Sequence, residues 1–434
     1  MNLDSQVFAK DLLVKSSVFF GDITSPPSKS HTMRAILAAS FAKGESEILN
    51  ILPSNDTNLL LAACKSFGAT IKQVGDNLVI KGVSGTPVFK NNKIYVGNSG
   101  IIYRFITAVA ALDTKWIEID GDSSIRNNRL ITPLLDNLVA MGATVDFLEK
   151  ENCAPFKIKG PIKINSTTID CIESQPVSAL MWLSLVKPCD FCITVENCQE
   201  WSWLEFTQKW LQARNVDVVV TDNKIHVRSR ATVAAFNFVI PGDFSTALFP
   251  IVATVITAGR LKLRGLIKDD WQGDKVVIDH LLRLGVDIKW QDNCLLVNGI
   301  NQFQGGVIDL QYCIDSLPIL VILAIFAKQK TTLLNCKSAR FKESDRLSVM
   351  AAILNDLGIR YKILGDHLEI IPGPIIEKNI FKAYNDHRIA LSLLVLGMKF
   401  KSLIIKDFNC AAKTYPNIIQ SWQQCNANMQ IIDE

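Results

Sequence analysis

No apolar run in this 434-residue chain approaches a membrane span. The richest, Leu317 to Ala327, is far short of the roughly 20 residues that a bilayer requires. At the N-terminus, MNLDSQVFAKDLLVKSS has acids and lysines interrupting its apolar positions. No signal-peptide core is read there, and a cytoplasmic location is expected. Excess charge of one sign is also lacking. The 46 basic and 42 acidic residues leave a formal +4, which argues against a nucleic-acid or membrane-surface binder held by bulk electrostatics. Any anion site must be local. Histidine is rare, and the 5 present form no HxH or HxxxH pair, so no metal site is expected. Eleven scattered cysteines, an odd number, fit buried reduced thiols better than a disulfide framework. The single CxxC, Cys189 to Cys192, has no second pair and carries no redox or metal expectation.

The length does point to more than one core, so two domains are expected. One phrase recurs along the chain: an apolar helical stretch, a Gly, a β-like run, a polar turn and a second β-like run. LAACKSFGATIKQVGDNLVI and ILNDLGIRYKILGDHLEI are two instances. SWQQCNANMQII is a truncated echo. The pivots Gly68, Gly142, Asn215, Gly285, Gly358 and Asn428 are spaced by 74, 73, 70, 73 and 70 residues. Gly or Asn at each pivot suits a left-handed helix C′ position. Turns such as Gly75-Asp76-Asn77 join the flanking runs as hairpins. One such repeat cannot bury its own faces, so three are expected to pack in each domain. The expected division is 26–240 for an N-terminal-type domain, and 1–25 plus 241–434 for a C-terminal-type domain.

Five stretches gather basic residues beside proton-transfer groups: SKSHTMR (Ser28 to Arg34), GNSGIIYR (Gly97 to Arg104), KESDR (Lys342 to Arg346), YNDHR (Tyr384 to Arg388) and KTYP (Lys413 to Pro416). In the first, a serine after two prolines offers an N-cap, and Ser30 and Arg34 share a face beside exposed helix amides, a ready anion site. In the second, glycines let backbone approach a ligand, and Arg104 lies one turn on. In KESDR, Lys342 and Arg346 are spaced i,i+4 and Glu343 lies i,i+3 from Arg346, a pattern common on salt-bridged surface helices. Here the run sits between apolar segments, which favours function. YNDHR places a cation at the start of the apolar helix IALSLLVLG, with His387 expected to pack or cap. Gathered by the fold, Lys29, Arg34, Lys342, Arg346, Arg388 and Lys413 would surround Glu343. That is a site for small polyanions undergoing proton transfer.

With these motifs in this order, the chain resembles the 5-enolpyruvylshikimate-3-phosphate synthases, enolpyruvyl transferases of the shikimate pathway, over almost its whole length. The resemblance implies an α/β fold of two domains, each of three βαβαββ-type repeats of packed sheets and helices, closing over substrates like a clamp. It implies a monomer without cofactor, metal, nucleic acid or membrane partner. Phosphoenolpyruvate would be gripped by Lys29, Gly100, Arg129, Gln175, Arg346, Arg388 and Lys413. Shikimate 3-phosphate would meet Lys29, Ser30, Arg34, Ser174, Gln175, Asp315, Ser338 and Lys342. Asp315 would take the proton of the attacking 5-hydroxyl, and Glu343 with Lys29 would protonate the enol methylene and reverse that step. Two phosphorylated acids repel each other without paired cations, and arginine suits both carboxylate and phosphate.

Some positions depart from the family's pattern. Glu173 and Glu200 stand where phosphate-contacting serines are usual, and Trp203 stands in a tyrosine place. A carboxylate about 4 Å from a phosphate charge costs roughly 4 kcal/mol at an effective dielectric near 20. Either these glutamates turn outward, or they pair with a cation, or the acceptor differs. One extra residue between Gly121 and Leu130 makes Arg129, rather than Arg126, an alignment choice. Ile101 replaces a common threonine, which implies lowered glyphosate sensitivity. A related transferase acting on UDP-N-acetylglucosamine would need a cysteine between Gly121 and Asn128, and none is there. RNA 3′-phosphate cyclase would leave Lys413 and Glu343 unexplained. A non-catalytic anion binder is suggested only by Glu173 and Glu200.

Overall fold

The computed structural model describes residues 10–299 and 302–432. These residues form six four-stranded sheets with one common plan. An edge strand runs parallel to its neighbour, and the next two strands add antiparallel to it. In the third repeat, for example, Thr167–Asp170 pairs parallel with Cys189–Glu196, which pairs antiparallel with Lys224–Ser229, and Asp217–Thr221 closes the edge. A helix follows each of the first two strands, here Ser174–Trp182 and Trp201–Gln212. The second, third and fifth repeats are therefore continuous βαβαββ units, with the parallel pair bridged by a helix because a parallel connection needs one.

Each repeat pivots on a left-handed residue that ends its second helix: Gly68 (φ 112°), Gly142 (φ 107°), Asn215 (φ 61°), Gly285 (φ 83°) and Gly358 (φ 70°). At each, the next amide reaches back five residues, as Ala69 to the Cys64 carbonyl (3.1 Å) and Ile359 to Leu354 (2.9 Å). This closes a Schellman motif. The sixth pivot differs from expectation. Asn428 opens the strand Asn428–Ile432. The left-handed residue is Asn426 (φ 65°), with the Ala427 amide 3.0 Å from the Trp422 carbonyl. Two nearby asparagines look alike in sequence, and only the back-bond separates them.

The chain splits into two compact domains. One holds the residues through Pro26, Gly242–Asp270 and those from Asp274 on, and the other holds Pro27–Pro241 with Trp271–Gly273. The short segment belongs with the latter because Trp271 packs on His31 and Trp210, each 5.9 Å between centroids. Ser28 Oγ also donates to Gln272 Oε1 at 3.2 Å. Three repeats are completed by strands distant in sequence. The first repeat takes Asn237–Val239 as its parallel edge, beside Glu45–Leu49. The fourth takes Phe20–Thr24 beside Arg260–Arg264. The truncated sixth repeat is completed by Asp11–Lys15, between Leu403–Lys406 and Asn428–Ile432.

The first helix of each repeat is the buried one. In the C-terminal domain, Phe244–Ile256, Leu317–Ile325 and His387–Gly397 are buried along their whole length and pack on one another. Beyond their first turns they are almost wholly apolar, as a helix enclosed by others should be. In the N-terminal domain the corresponding helices are Lys29–Phe41, Gly100–Ala110 and Ser174–Trp182. The second helices, such as Val276–Arg283, keep a polar face. Three of these buried helices, Lys29–Phe41, Gly100–Ala110 and His387–Gly397, begin within motifs singled out above, so polar groups enter the cores from those ends.

Candidate active site

In the N-terminal domain, Ser28 caps the helix Lys29–Phe41, its Oγ accepting from the His31 amide. Lys29 reaches Asp56 at 3.7 Å. Arg34, one turn on and 4 % exposed, donates from Nη2 to Thr207 Oγ1 (3.1 Å) and lies 4.7 Å from the Phe206 ring centroid. Thr207 in turn shares a 3.0 Å hydrogen bond with Ser178. Among the described contacts no carboxylate pairs with Arg34, and burial pulls its guanidinium down to about 9. It stays protonated near neutrality, a buried cation bonded to the Thr207 hydroxyl and the Ser30 carbonyl.

The other two buried helices of this domain meet at their starts. Gly100 opens one, where a Cβ would lie 2.7 Å from Gln175 Oε1 and 2.8 Å from Arg104 Nη1. Only glycine leaves that approach open. Arg104, fully buried, donates to Glu173 Oε2 (2.6 Å), Gln175 Oε1 (3.4 Å) and the Leu130 carbonyl (2.5 Å). Burial lowers its pKa and Glu173 opposes that. Arg129 donates to the other Glu173 oxygen at 3.5 Å. Arg126 turns away, forked onto Asp120 (2.9 and 2.8 Å) and reaching Glu149. Of the two alternatives, then, Arg129 is the one inside the cluster. Glu173 resolves its own question by bridging two arginines. Glu200, 2 % exposed, takes the first donors of the Ser174 helix, accepting from the Ser174 amide (3.0 Å) and Oγ (2.8 Å). Both glutamates thus occupy anion positions with their own carboxylates. Ser30, whose carbonyl accepts from Arg34 at 3.4 Å, completes this face.

In the C-terminal domain the centre is Arg346, 1 % exposed. It donates to Asp315 (2.7 Å), Glu343 (2.8 Å) and Asp386 (2.8 and 3.2 Å). Burial works against its charge, and Asp386, Glu343 and Asp315 outweigh burial and hold the proton on. Arg388 reaches Asp315 at 3.2 Å and Lys413 reaches Glu343 at 3.2 Å. Burial would raise the Asp315 carboxyl, but Arg388, then Arg346 and Lys342, hold it far below the usual carboxylate range. Asp386 caps the helix His387–Gly397, accepting from the Arg388 amide at 2.9 Å, and also accepts from Ser344 at 3.0 Å. Ser338 is buried in the short helix Lys337–Phe341.

KESDR is not helical up to Asp345. The helix Arg346–Asp356 starts at its last residue, with Asp345 as N-cap to Ser348 (2.9 Å). Glu343 therefore meets Arg346 from a turn, not from the i,i+3 position of a surface helix. Glu343, Asp386 and His387 bring ligand-type atoms within 4.8 Å of one another. The Arg346 guanidinium bonds both carboxylates, so a protein cation already neutralises that cluster.

Four residues here escaped the sequence-based site. Arg104 and Asp386 lay in flagged motifs without an assigned role. Asp56 gave only the ordinary signal of an acid in a helix's first turn. Asp274, 2 % exposed, accepts from Ser245 Oγ at 2.6 Å. Burial, then the nearby Asp315, push its carboxyl up to about 7. Nothing in its local sequence marks it.

The chain matches the family model for EPSP synthase (3-phosphoshikimate 1-carboxyvinyltransferase) over residues 15–422. The 3-phosphoshikimate 1-carboxyvinyltransferase of Chlamydia muridarum is 35% identical over 424 residues, covering 96% of this chain and 95% of that protein. Its counterpart from Chlamydia trachomatis serovar D is 33% identical, over 97% and 96%. Among solved structures, EPSP synthase from Acinetobacter baumannii superposes with a TM-score of 0.81 at 22% identity, covering 98% of this chain and 100% of that one. The enolpyruvyl transferase NikO from Streptomyces tendae gives 0.78 at 14% identity, over 98% and 100%. These likenesses carry the two-domain fold, and the family model and relatives carry the rest: this chain belongs to the EPSP synthase family.

Proposed function

We propose that the two clusters divide the work of the family's reaction. The chain transfers the enolpyruvyl group of phosphoenolpyruvate to the 5-hydroxyl of shikimate 3-phosphate and releases phosphate, a step of aromatic amino acid biosynthesis. In this reading Asp315 accepts the proton as the 5-hydroxyl oxygen bonds to C2 of phosphoenolpyruvate. Glu343 with Lys29 delivers a proton to the methylene, giving a tetrahedral ketal phosphate. Removal of a methyl proton then expels phosphate with C–O cleavage. Lys29, Gly100, Arg129, Gln175, Arg346, Arg388 and Lys413 hold phosphoenolpyruvate. Lys29, Ser30, Arg34, Ser174, Gln175, Asp315, Ser338 and Lys342 hold the acceptor.

One observation carries the assignment: Arg346 joins Asp315, Glu343 and Asp386 at 2.7–2.8 Å while Arg388 and Lys413 flank it. Without ligand, those cations hold Asp315 ionised and weakly basic. Anionic substrates pairing with Arg346 and Arg388 withdraw that positive field, so Asp315 gains basicity when the hydroxyl arrives. The basicity of the group is thus coupled to occupancy. With this reading goes a cytoplasmic monomer, which sedimentation of the purified protein checks. No helix among the described residues is long and apolar enough to cross a membrane.

Phosphate release from phosphoenolpyruvate plus shikimate 3-phosphate tests the assignment, run beside Asp315→Asn, Glu343→Ala and Lys29→Ala. Release should need both substrates and fall at least about 100-fold in each variant, the usual weight of a positioned acid or base. Full activity in Asp315→Asn would remove it as the base.

A further inference from the structure

Cys171 and Cys198 bring their sulfurs to 3.1 Å. Each lies just past one of two adjacent parallel strands, Thr167–Asp170 and Cys189–Glu196, paired through Asp170 and Glu196. The Cys171 amide continues that ladder onto the Glu196 carbonyl at 2.9 Å. Neighbouring strands lie about 4.8 Å apart, within the Cα separation a disulfide accepts. Bond formation needs the sulfurs to close by about 1 Å. The remaining cysteines include Cys189 and Cys192, which share one strand.

The location gives the pair a consequence. Cys171 is followed by Glu173, Ser174 and Gln175, and Cys198 by Glu200, whose carboxylate bonds Ser174. We propose that Cys171 and Cys198 form a reversible disulfide that slows enolpyruvyl transfer by drawing Ser174 and Gln175, which follow Cys171 in the chain, out of position. That last link rests on the reading of Ser174 as an acceptor-binding residue.

The oxidant is a small-molecule disulfide such as oxidised glutathione. The partly exposed Cys198 attacks as thiolate, forming a mixed disulfide and releasing one small thiolate. Cys171, buried, then loses its proton to solvent and attacks the Cys198 sulfur, releasing the second. Two protein thiols are oxidised and one small disulfide is reduced to two thiols. The contact with Cys198, then burial, raise the Cys171 pKa, which suits it to the second step.

The test incubates the full-length protein with oxidised glutathione, then maps peptides without reduction and measures turnover before and after dithiothreitol. The expected result is a cross-link between the Cys171 and Cys198 peptides and a turnover loss of about tenfold, since misplacements near 1 Å are felt strongly. Reductant should restore the rate. Cys198→Ser should be insensitive and Cys171→Ser should give no cross-link and stop at the Cys198 mixed disulfide, while Cys189→Ser and Cys192→Ser should respond like the parent. No cross-link, a cross-link with unchanged turnover, or equal sensitivity in Cys198→Ser would each overturn the proposal. Ser174→Ala separates the underlying reading. An unchanged KM for shikimate 3-phosphate in that variant refutes the acceptor assignment, whatever the cysteines do.

Discussion

Replacing Glu200 with serine should make the protein less stable and yet tighten its hold on shikimate 3-phosphate. In the free protein the Glu200 carboxylate accepts from the Ser174 amide at 3.0 Å and from its Oγ at 2.8 Å. If Ser174 serves the acceptor's phosphate, ligand and glutamate compete for the same donors. Displacing the glutamate forfeits two hydrogen bonds to a charged group, each worth about 1.5–3 kcal/mol and partly recovered on hydration. Keeping both anions costs about 4 kcal/mol at 4 Å and an effective dielectric near 20. Either way the parent loses roughly 2–4 kcal/mol of binding, so Glu200→Ser should lower Kd by about 30-fold or more. Without ligand the variant leaves two buried donors short of a partner, at about 1–3 kcal/mol each. Titration calorimetry with shikimate 3-phosphate, paired with thermal melts with and without it, reads both effects. An affinity that is unchanged or weaker would refute the competition and place the phosphate away from Ser174.

Arg346→Ala strands three carboxylates around a buried cavity. It should destabilise the C-terminal domain by about 3–5 kcal/mol, the usual result of removing one partner of a buried ion network; a melting temperature within a degree or so of the parent in a calorimetric scan would contradict the geometry. The Asp274 carboxyl, raised from 3.8 to about 7, keeps a proton that the unfolded chain has lost. Its contribution to stability is therefore complete below about pH 4 and lost as pH rises through about 7, at about 1.4 kcal/mol per pH unit. Asp274→Asn should match the parent in acid and exceed it in stability above neutrality, and parallel denaturation curves across that range would refute the shift. At the sixth pivot, Asn426→Gly should be nearly neutral, whereas Asn426→Val should cost about 1–2 kcal/mol. The same substitution at Asn428, in a strand, should not show that penalty.

The repeat was legible because its marker is local. A helix of the right face, a residue able to turn left-handed and a hairpin all lie within about 20 residues in each copy. The slip from Asn426 to Asn428 arose where two asparagines were equally able. Strand exchange was not legible. Asp11–Lys15 and Asn237–Val239 are short, and partners such as Ile431 and Glu47 are far away in sequence, so no local pattern announces them. The placing of a cation beside a buried helix start was readable, as at Arg34 and Arg388. The pairing of those charges was not. Whether Glu173 turns outward or spans Arg104 and Arg129 depends on three chain segments meeting, and KESDR spacing suggested a helix where a cap at Asp345 starts one later.

The borrowed edge strands bear on how the protein is made. The C-terminal domain is built from segments on both sides of the N-terminal domain, which is an insertion within it. During synthesis the residues around Asp11–Lys15 emerge before the inserted domain, yet the strand beside them, Asn428–Ile432, emerges long after it. The inserted domain can close once Asn237–Val239 has left the ribosome, while two leading strands wait with unpaired edges. A fragment beginning at Gly242 would lack Phe20–Thr24 and Asp11–Lys15, leaving two of its three sheets open and prone to aggregate. A circular permutant that appends residues 10–26 after the last strand would make that domain contiguous.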